Sequence, residues 1–251
     1  MNLVSIIIPV YNVTFFIEAF NSAYNQSYKK KEIIIIYDNN KKKDFEIINR
    51  IICKKKNVRL INNKNNLGAG IARNIGIKCA NGTFLAFLDS DDRWTIDKLK
   101  IQIKFMKDNK LNFTHTSYNI IDEKNKLIGS QLAKKILTYN NLLNSCDIGL
   151  STVVIRRKIL LNNGFSTLKT KEDYVLWLKL SKKHQIIGIQ KKLCDWRKGF
   201  DTLSSSVRQK IFDAFQVYYK EENLNLFVSI FRVFILSYNF FLKKIRQKKY
   251  F

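Results

Sequence analysis

Short apolar runs alternate with helix-periodic stretches through the first ninety residues. Residues 3–10 are a continuous run rich in β-branched side chains that breaks at Pro9-Val10-Tyr11-Asn12. This pattern predicts a strand buried on both faces and entering a loop. Residues 15–24 carry apolar side chains at helical spacing, residues 32–37 (EIIIIY) read as a second buried strand, and residues 45–53 are helical again. A short strand is expected over 58–62, a helix over 69–79 and a strand over 83–88. Alternation at this spacing predicts an α/β domain with a mostly parallel central sheet flanked by helices. Ligands of such sheets sit beyond the carboxyl ends of the strands. Three of those ends are polar, at residues 9–12, 38–40 and 89–92, and they are expected to converge in one crevice.

Beyond Lys107 the pattern loosens. Residues 112–120 and 126–130 are expected to pair as strands around the polar turn Asp122-Glu123-Lys124-Asn125. A short strand follows at 152–155, then a helix ending at Asn162-Asn163-Gly164, where Asn-Gly is a helix-stop signal. Residues 174–180 read as a short helix. From 207 to 251 the chain is helical, with 224–242 strongly apolar. This divides the chain into a domain over 1–206 and a helical, basic extension over 207–251.

Composition narrows the class. Of 251 residues 46% are hydrophobic, enough for a sizeable core, so wholesale disorder is excluded. The amino terminus shows no secretory pattern, and Cys53, Cys79, Cys146 and Cys194 form no CxxC pair, which suits reduced thiols in the cytoplasm. Lys and Arg number 45 against 20 Asp and Glu, a net charge of +25. That excess fits nucleic acid, an anionic membrane or a polyanionic substrate equally well, and it also fits a merely solvated lysine-rich surface. No nucleic-acid-binding module is legible.

In so basic a chain the acidic residues are the informative ones. Asp89, Asp91 and Asp92 crowd one strand end, where like charges are costly unless a cation or hydrogen bonds compensate. A divalent ion shared with a substrate diphosphate would do so; the alternative is that they cap a helix beginning near Trp94. Glu172-Asp173, just ahead of a Leu/Trp-rich helix, are either capping residues or a general base for an acceptor hydroxyl. His115 and His184 have no motif around them and read as structural. Residues 66–74 (NLGAGIARN) enter a helix through two glycines, either to meet a phosphate with Arg73 nearby or simply to pack.

Taken in order, these segments resemble glycosyltransferase family 2, enzymes of the GT-A fold, of the bacterial surface-polysaccharide type. SIIIPVYN at 5–12 is similar to the family's first strand, and Ser22, Gln26 and Tyr28 to its first helix and turn. NLGAGIARN is similar to its Gly/Ala-Arg-Asn segment, FLDSDDRW at 87–94 to its Asp-x-Asp motif, and EDYVLW at 172–177 to its Glu-Asp segment. The resemblance implies an inverting, metal-dependent transfer of one sugar from a nucleotide-diphosphate sugar, a UDP-sugar, to a glycan or lipid-linked acceptor. It implies that Pro9, Tyr11 and Asp38 line the base pocket and that Arg73 supports the nucleotide. Asp89 would hold ribose or sugar, Asp91 with Asp89 would hold Mn²⁺ or Mg²⁺, and Asp173 would act as base with Glu172 orienting.

The chain departs from the family pattern at Tyr37-Asp38-Asn39-Asn40, which keeps one acid, and at Gly199, where a His is expected after Trp196-Arg197. A non-catalytic nucleotide-sugar- or glycan-binding protein of the same fold is the alternative these departures raise. A Gln-x-x-Arg-Trp motif is absent, which argues against processive synthesis. The apolar 224–242 segment contains Arg232 and Asn239, and Lys/Arg residues follow it. It is therefore expected to lie at an anionic membrane surface rather than to cross it, placing the protein on the cytoplasmic face of the inner membrane; the alternative is that these helices simply pack on the catalytic domain with a solvated basic end.

Overall fold

A computed structural model describes residues 2–199 and 207–248, with side chains to residue 245. The expected boundary after residue 206 and the Tyr250-Phe251 end lie outside the described residues. The first half runs β1 (Val4–Val10), α1 (Phe16–Tyr24), β2 (Lys31–Tyr37), α2 (Lys42–Ile52), β3 (Val58–Asn62), α3 (Ala69–Cys79) and β4 (Phe84–Phe87). After it come β5 (Arg93–Trp94), α4 (Lys98–Asp108), β6 (Phe113–Ile121), β7 (Leu127–Gln131), β8 (Ile136–Leu137) and α5 (Tyr139–Asn144). The chain continues through β9 (Val154–Arg156), α6 (Glu172–Ser181), β10 (Ile186–Arg197) and α7 (Val207–Gln216), then a π-helical turn at Val217–Glu221 and α8 (Leu226–Lys248).

The sheet order is β3-β2-β1-β4-β9-β6-β10-β5, with β7 on β6 and β8 on β10. Strands β3, β2, β1 and β4 are mutually parallel; β9 is antiparallel to β4 and β6, and β10 returns parallel to β6. All seven residues of β1 are buried, as expected of a strand covered on both faces. Alternation divides them: Ile7 packs with α3 and α6, while Ile6 and Ile8 pack with α1 and α4. Pro9 falls two residues past the last β1–β4 pair, Ile7–Phe87, so its missing N–H breaks no bond to β4.

Two expectations are corrected, and one strand was not foreseen. The helix expected from Trp94 begins at Lys98, because Arg93 and Trp94 pair with Asp195 and Cys194 of β10. The helix expected before Gly164 shrinks to a 3₁₀ turn at Arg157–Ile159. There the Asn74 amide brackets Phe165, accepting from its N–H and donating to its carbonyl at 2.9 Å each, and so holds the segment to α3. Strand β10 had no strand signature because two register shifts and the exposed pair Lys191-Lys192 interrupt its alternation. The C-terminal helices share the core: Ala214, Val217, Tyr218 and Leu236 join the cluster that contains Trp177 and Leu142.

Candidate active site

The parallel order places the ends of β2, β1 and β4 side by side at one sheet edge, with β1 at the point where the chain changes direction of winding. Asp38, after β2, is buried and already engaged. Its carboxylate accepts from the Asn63 amide (2.9 Å) and from the backbone N–H groups of Leu67 (3.0 Å) and Gly68 (2.8 Å). Those bonds fold the loop before α3 back over β2. Gly68 adopts φ 89°, a conformation that disfavours side chains, while a Cβ on Gly70 would lie 2.4 Å from the Ser166 carbonyl. The two glycines thus serve turn and packing, and two of the loop N–H groups are spent on Asp38. Tyr11 stands at the mouth, 47% exposed, with its carbonyl accepting from Asn39; Pro9 is buried within β1.

On the other side of β1, Arg73 joins two distant segments. From α3 its Nη2 donates to Asp89 Oδ1 (2.8 Å), just past β4, and its Nη1 donates to Glu172 Oε1 (2.5 Å), the first residue of α6. The guanidinium is buried over the Phe165 ring, and its two acidic partners raise its already high pKa despite the burial. This one side chain brings the two acidic islands of the sequence, eighty-odd residues apart, to a common centre. Arg73 therefore lies beneath Asp89, with both terminal nitrogens committed.

The three aspartates after β4 have distinct environments. Asp92 is fully enclosed: Ser151 donates to Oδ2 (2.5 Å) and the Arg197 backbone N–H to Oδ1 (2.8 Å). Burial, then the charges of Asp91 and Asp89, push its carboxyl well above the ordinary range. Ser151 also accepts from the Asp89 N–H (3.0 Å), tying neighbours of the turn together. Asp91 has no side-chain donor among the described residues. Burial and Asp89 raise its pKa to about 6. With α4 starting at Lys98, none of the three caps a helix.

Sequence reasoning missed the residue that fixes this turn. Arg197, at the end of β10, donates through Nε to the Asp91 carbonyl (2.9 Å) and through Nη1 to the Asp122 carbonyl (3.0 Å). Its Nη2 reaches Glu18 and Asn125 at 3.0 Å, and the guanidinium stacks over Phe15. The Trp-Arg pair marked the position, but nothing in the sequence told a buried arginine from a surface one. Gly199 follows, half-buried.

Asp173, half-buried at the start of α6, accepts from the Tyr174 N–H (2.7 Å) and makes no ion pair among the described residues. Burial and the adjacent Glu172 raise its pKa to about 7, against the opposing pull of Arg73 and Lys171. A carboxylate poised there accepts a proton near neutral pH. Glu172 is spent on Arg73 and cannot serve in the same way.

The donor set at the acidic turn fits a divalent cation. Asp91 accepts only from its own backbone N–H among the described residues and carries a raised pKa, and Asp89 spends only Oδ1 on Arg73, so oxygens of both remain for a hard ion. Among the described residues, no group of three His, Cys, Asp or Glu side chains is arranged to hold a metal, so other ligands would complete the shell. Asp91 binds protons more tightly in the folded chain, so its stabilising contribution is full at low pH and lost as pH rises through about 6. Asp91→Asn is therefore expected to raise the melting temperature by a few degrees at pH 7.5. It is also expected to abolish the rise that Mn²⁺ produces in the wild type, as read by scanning fluorimetry.

The sequence model described as Glycosyl transferase family 2 matches residues 5–164. An uncharacterized glycosyltransferase of Haemophilus influenzae is 36% identical over 246 residues, 97% of this chain and 98% of its own. The Escherichia coli UDP-Glc:alpha-D-GlcNAc-diphosphoundecaprenol beta-1,3-glucosyltransferase WfgD is 39% identical over 190 residues, 74% of this chain and 73% of its own. Among solved structures, S. aureus TarS 1-349 in complex with UDP-GlcNAc superposes with a TM-score of 0.72 at 22% identity, covering 87% of this chain and 65% of that one. The mannosyltransferase PcManGT from Pyrobaculum calidifontis, in complex with GDP-Man and Mn²⁺, gives 0.66 at 15% identity, over 89% and 65%. This chain thus spans under two thirds of the length of either crystallised relative.

Proposed function

The chain belongs to glycosyltransferase family 2, and from that premise we propose that it transfers one sugar, with inversion, from a UDP-sugar to a hydroxyl of a lipid-linked glycan during cell-surface polysaccharide assembly. Its fold is GT-A with a helical C-terminal extension. The observation that supports the reading is the Arg73 bridge, which ties Asp89, two residues before Asp91, to Glu172, the neighbour of Asp173.

Tyr11 offers a ring to the nucleobase at the mouth. Asp38, with three donors on about four lone-pair positions, keeps one for the base and otherwise shapes the pocket; Pro9 shapes it from within the strand. Asp89, steadied by Arg73, accepts from ribose or sugar hydroxyls through its remaining oxygen. Mn²⁺ or Mg²⁺ held by Asp91 and Asp89 would neutralise the charge growing on the leaving diphosphate. Asp173 takes the acceptor hydroxyl's proton as that oxygen attacks the anomeric carbon opposite the departing diphosphate, which inverts the centre. Glu172, locked to Arg73, keeps the base in position.

Helix α8 supports work at a membrane surface. It is long and apolar enough to cross one, with mean hydropathy 1.6 over Leu226–Ile245, yet its polar stripe is fastened to the domain. Arg232 donates to the Asn144 side chain (2.8 Å), Asn239 to the Asn144 carbonyl (2.9 Å), and Lys243 pairs with Asp147 (3.5 Å). The opposite face shows Phe227, Phe231, Phe234, Tyr238 and Phe241 at helical spacing, with Phe227 81% exposed. A helix bound along one stripe and aromatic along the other suits the plane of an anionic cytoplasmic leaflet.

Screening UDP-sugars, with GDP-mannose as the comparison, by nucleotide release with Mn²⁺ and a lipid-linked acceptor tests the reading. Release from at least one UDP-sugar is expected. Tight nucleotide binding with no release from any donor would favour the non-catalytic alternative.

A further inference from the structure

Asp173 stands in a segment that the C-terminal helices hold on both flanks, and no step described above uses those contacts. Upstream, Thr170 is buried, and its N–H and hydroxyl both donate to Asp213 Oδ2 of α7 at 2.8 Å. Asp213 is itself 2% exposed, its Oδ1 accepts from Gln209 (2.9 Å), and it makes no ion pair among the described residues. Downstream, the Tyr174 hydroxyl meets the Leu142 carbonyl (2.5 Å) and the Tyr218 hydroxyl (3.0 Å), and Tyr218 donates to the Leu143 carbonyl (2.8 Å). Glu172, between the two flanks, is bound to Arg73.

From Thr170 the chain passes to Lys171, left-handed at φ 70° and ψ 10°. A residue with a β-carbon disfavours that conformation, which persists only where its surroundings impose it. Here its two neighbours are both clamped, Thr170 on Asp213 and Glu172 on Arg73. Lys171 also occupies the cap position of α6, where no side-chain bond closes the first turn. The direction in which that helix starts, and with it the direction of Asp173, is therefore set by tertiary contacts rather than by a local cap. Docking of α7 does not call for Asp213, because Ala214 of α7 and Val217 just after it already anchor the segment in the core. Burying a carboxylate without a cation is costly, and the donors gathered on Asp213 lock it and Thr170 in one geometry.

We infer that Asp213 is a positioning residue for the transfer: by clamping Thr170 it imposes the left-handed turn at Lys171 and so fixes where the Asp173 carboxylate points. Helix α7 is then part of the catalytic apparatus, although it lies outside the strands that build the crevice. The inference rests on the reading of Asp173 as the base and deepens it, since it names what holds that base. Substitutions at Asp213 and Thr170 leave in place the charges that act on Asp173, those of Glu172, Arg73 and Lys171.

Transfer, UDP affinity and the titration of the Asp173 carboxyl by carbon-13 NMR are compared in the full chain. Asp213→Ala is expected to lower kcat about a hundredfold with UDP affinity within about twofold of the wild type, the effect of a base displaced by about an ångström. Thr170→Val, which keeps the N–H and loses the hydroxyl, should lose about tenfold, while Thr170→Ser, which keeps both donors, should stay within about twofold. In Asp213→Ala and Thr170→Val the Asp173 midpoint should fall below the wild-type value of about 7, because a carboxyl no longer held in place is better hydrated. A variant that is merely less stable loses rate without moving that midpoint. If Asp213→Ala fails to fold, Thr170→Val against Thr170→Ser decides alone. Wild-type kcat in Thr170→Val, equal losses in the Val and Ser variants, or a loss of rate with an unmoved midpoint overturns the inference. The titration needs no turnover. A midpoint that moves in a chain that transfers no sugar sinks the transferase reading alone, whereas an unmoved midpoint in a chain whose transfer needs Asp173 sinks this inference alone.

Discussion

Asp173→Asn is expected to lower kcat by about a thousandfold while leaving nucleotide affinity unchanged, because it removes the general base and little else. The amide keeps the oxygen that accepts from the Tyr174 N–H, so the start of α6 is preserved. The pH dependence gives a second signature. With a carboxyl raised to about 7 by burial and Glu172, the wild-type rate should climb through neutral pH and level off above it, while the residual rate of the variant should lack that rise. Stability moves the other way. A carboxyl whose pKa is higher folded than unfolded stabilises most when protonated, and that contribution is lost as pH rises through about 7. Asp173→Asn should therefore melt higher than the wild type at pH 8, by scanning calorimetry. A merely structural aspartate would give a variant both inactive and less stable.

Arg73→Met is expected to cost the fold about 3–5 kcal/mol, because it strands two carboxylates that share one buried cation. Arg73 is 5% exposed, and its partners come from β4 and α6, so its loss frees the acidic turn and the base together. Urea unfolding should show the loss as a lowered midpoint. Arg73→Lys should recover only part, since a single ammonium does not reproduce the two-pronged geometry. Adding Glu172→Gln to Arg73→Met removes one stranded charge and should return more than about 1 kcal/mol, a coupling read from the double-mutant cycle. Additive effects would mean that the bridge is not a unit.

The parallel half of the sheet was legible because its signals are local. The run VSIIIPV is apolar on both faces, β3 and α3 begin and end where their patterns do, and the polar strand ends do share one sheet edge. The second half was less so. Strand β10 is bulged where Lys191 and Lys192 turn outward, and the segment at Phe165 is held by Asn74, 91 residues away. At the site, residue types could be named but their pairing could not. That Arg73 joins Asp89 to Glu172, that Asp92 is closed off by Ser151 and Arg197 while Asp91 stays open, and that the N–H groups of Leu67 and Gly68 serve Asp38 are tertiary facts. The choice between capping and ion binding for the acidic turn depended on where α4 starts, a boundary set by the pairing of Arg93 and Trp94 with β10.

The central claim is that Asp173 is the base of a sugar transfer carried out at the Asp89–Asp91 turn. Its most direct test is acceptor-dependent UDP release in a single turnover, comparing wild type with Asp173→Asn at equal nucleotide occupancy and with Mn²⁺ present. Release that needs the acceptor, follows a pH midpoint near 7 and falls about a thousandfold in the variant is the predicted result. Turnover by Asp173→Asn at the wild-type rate would contradict it.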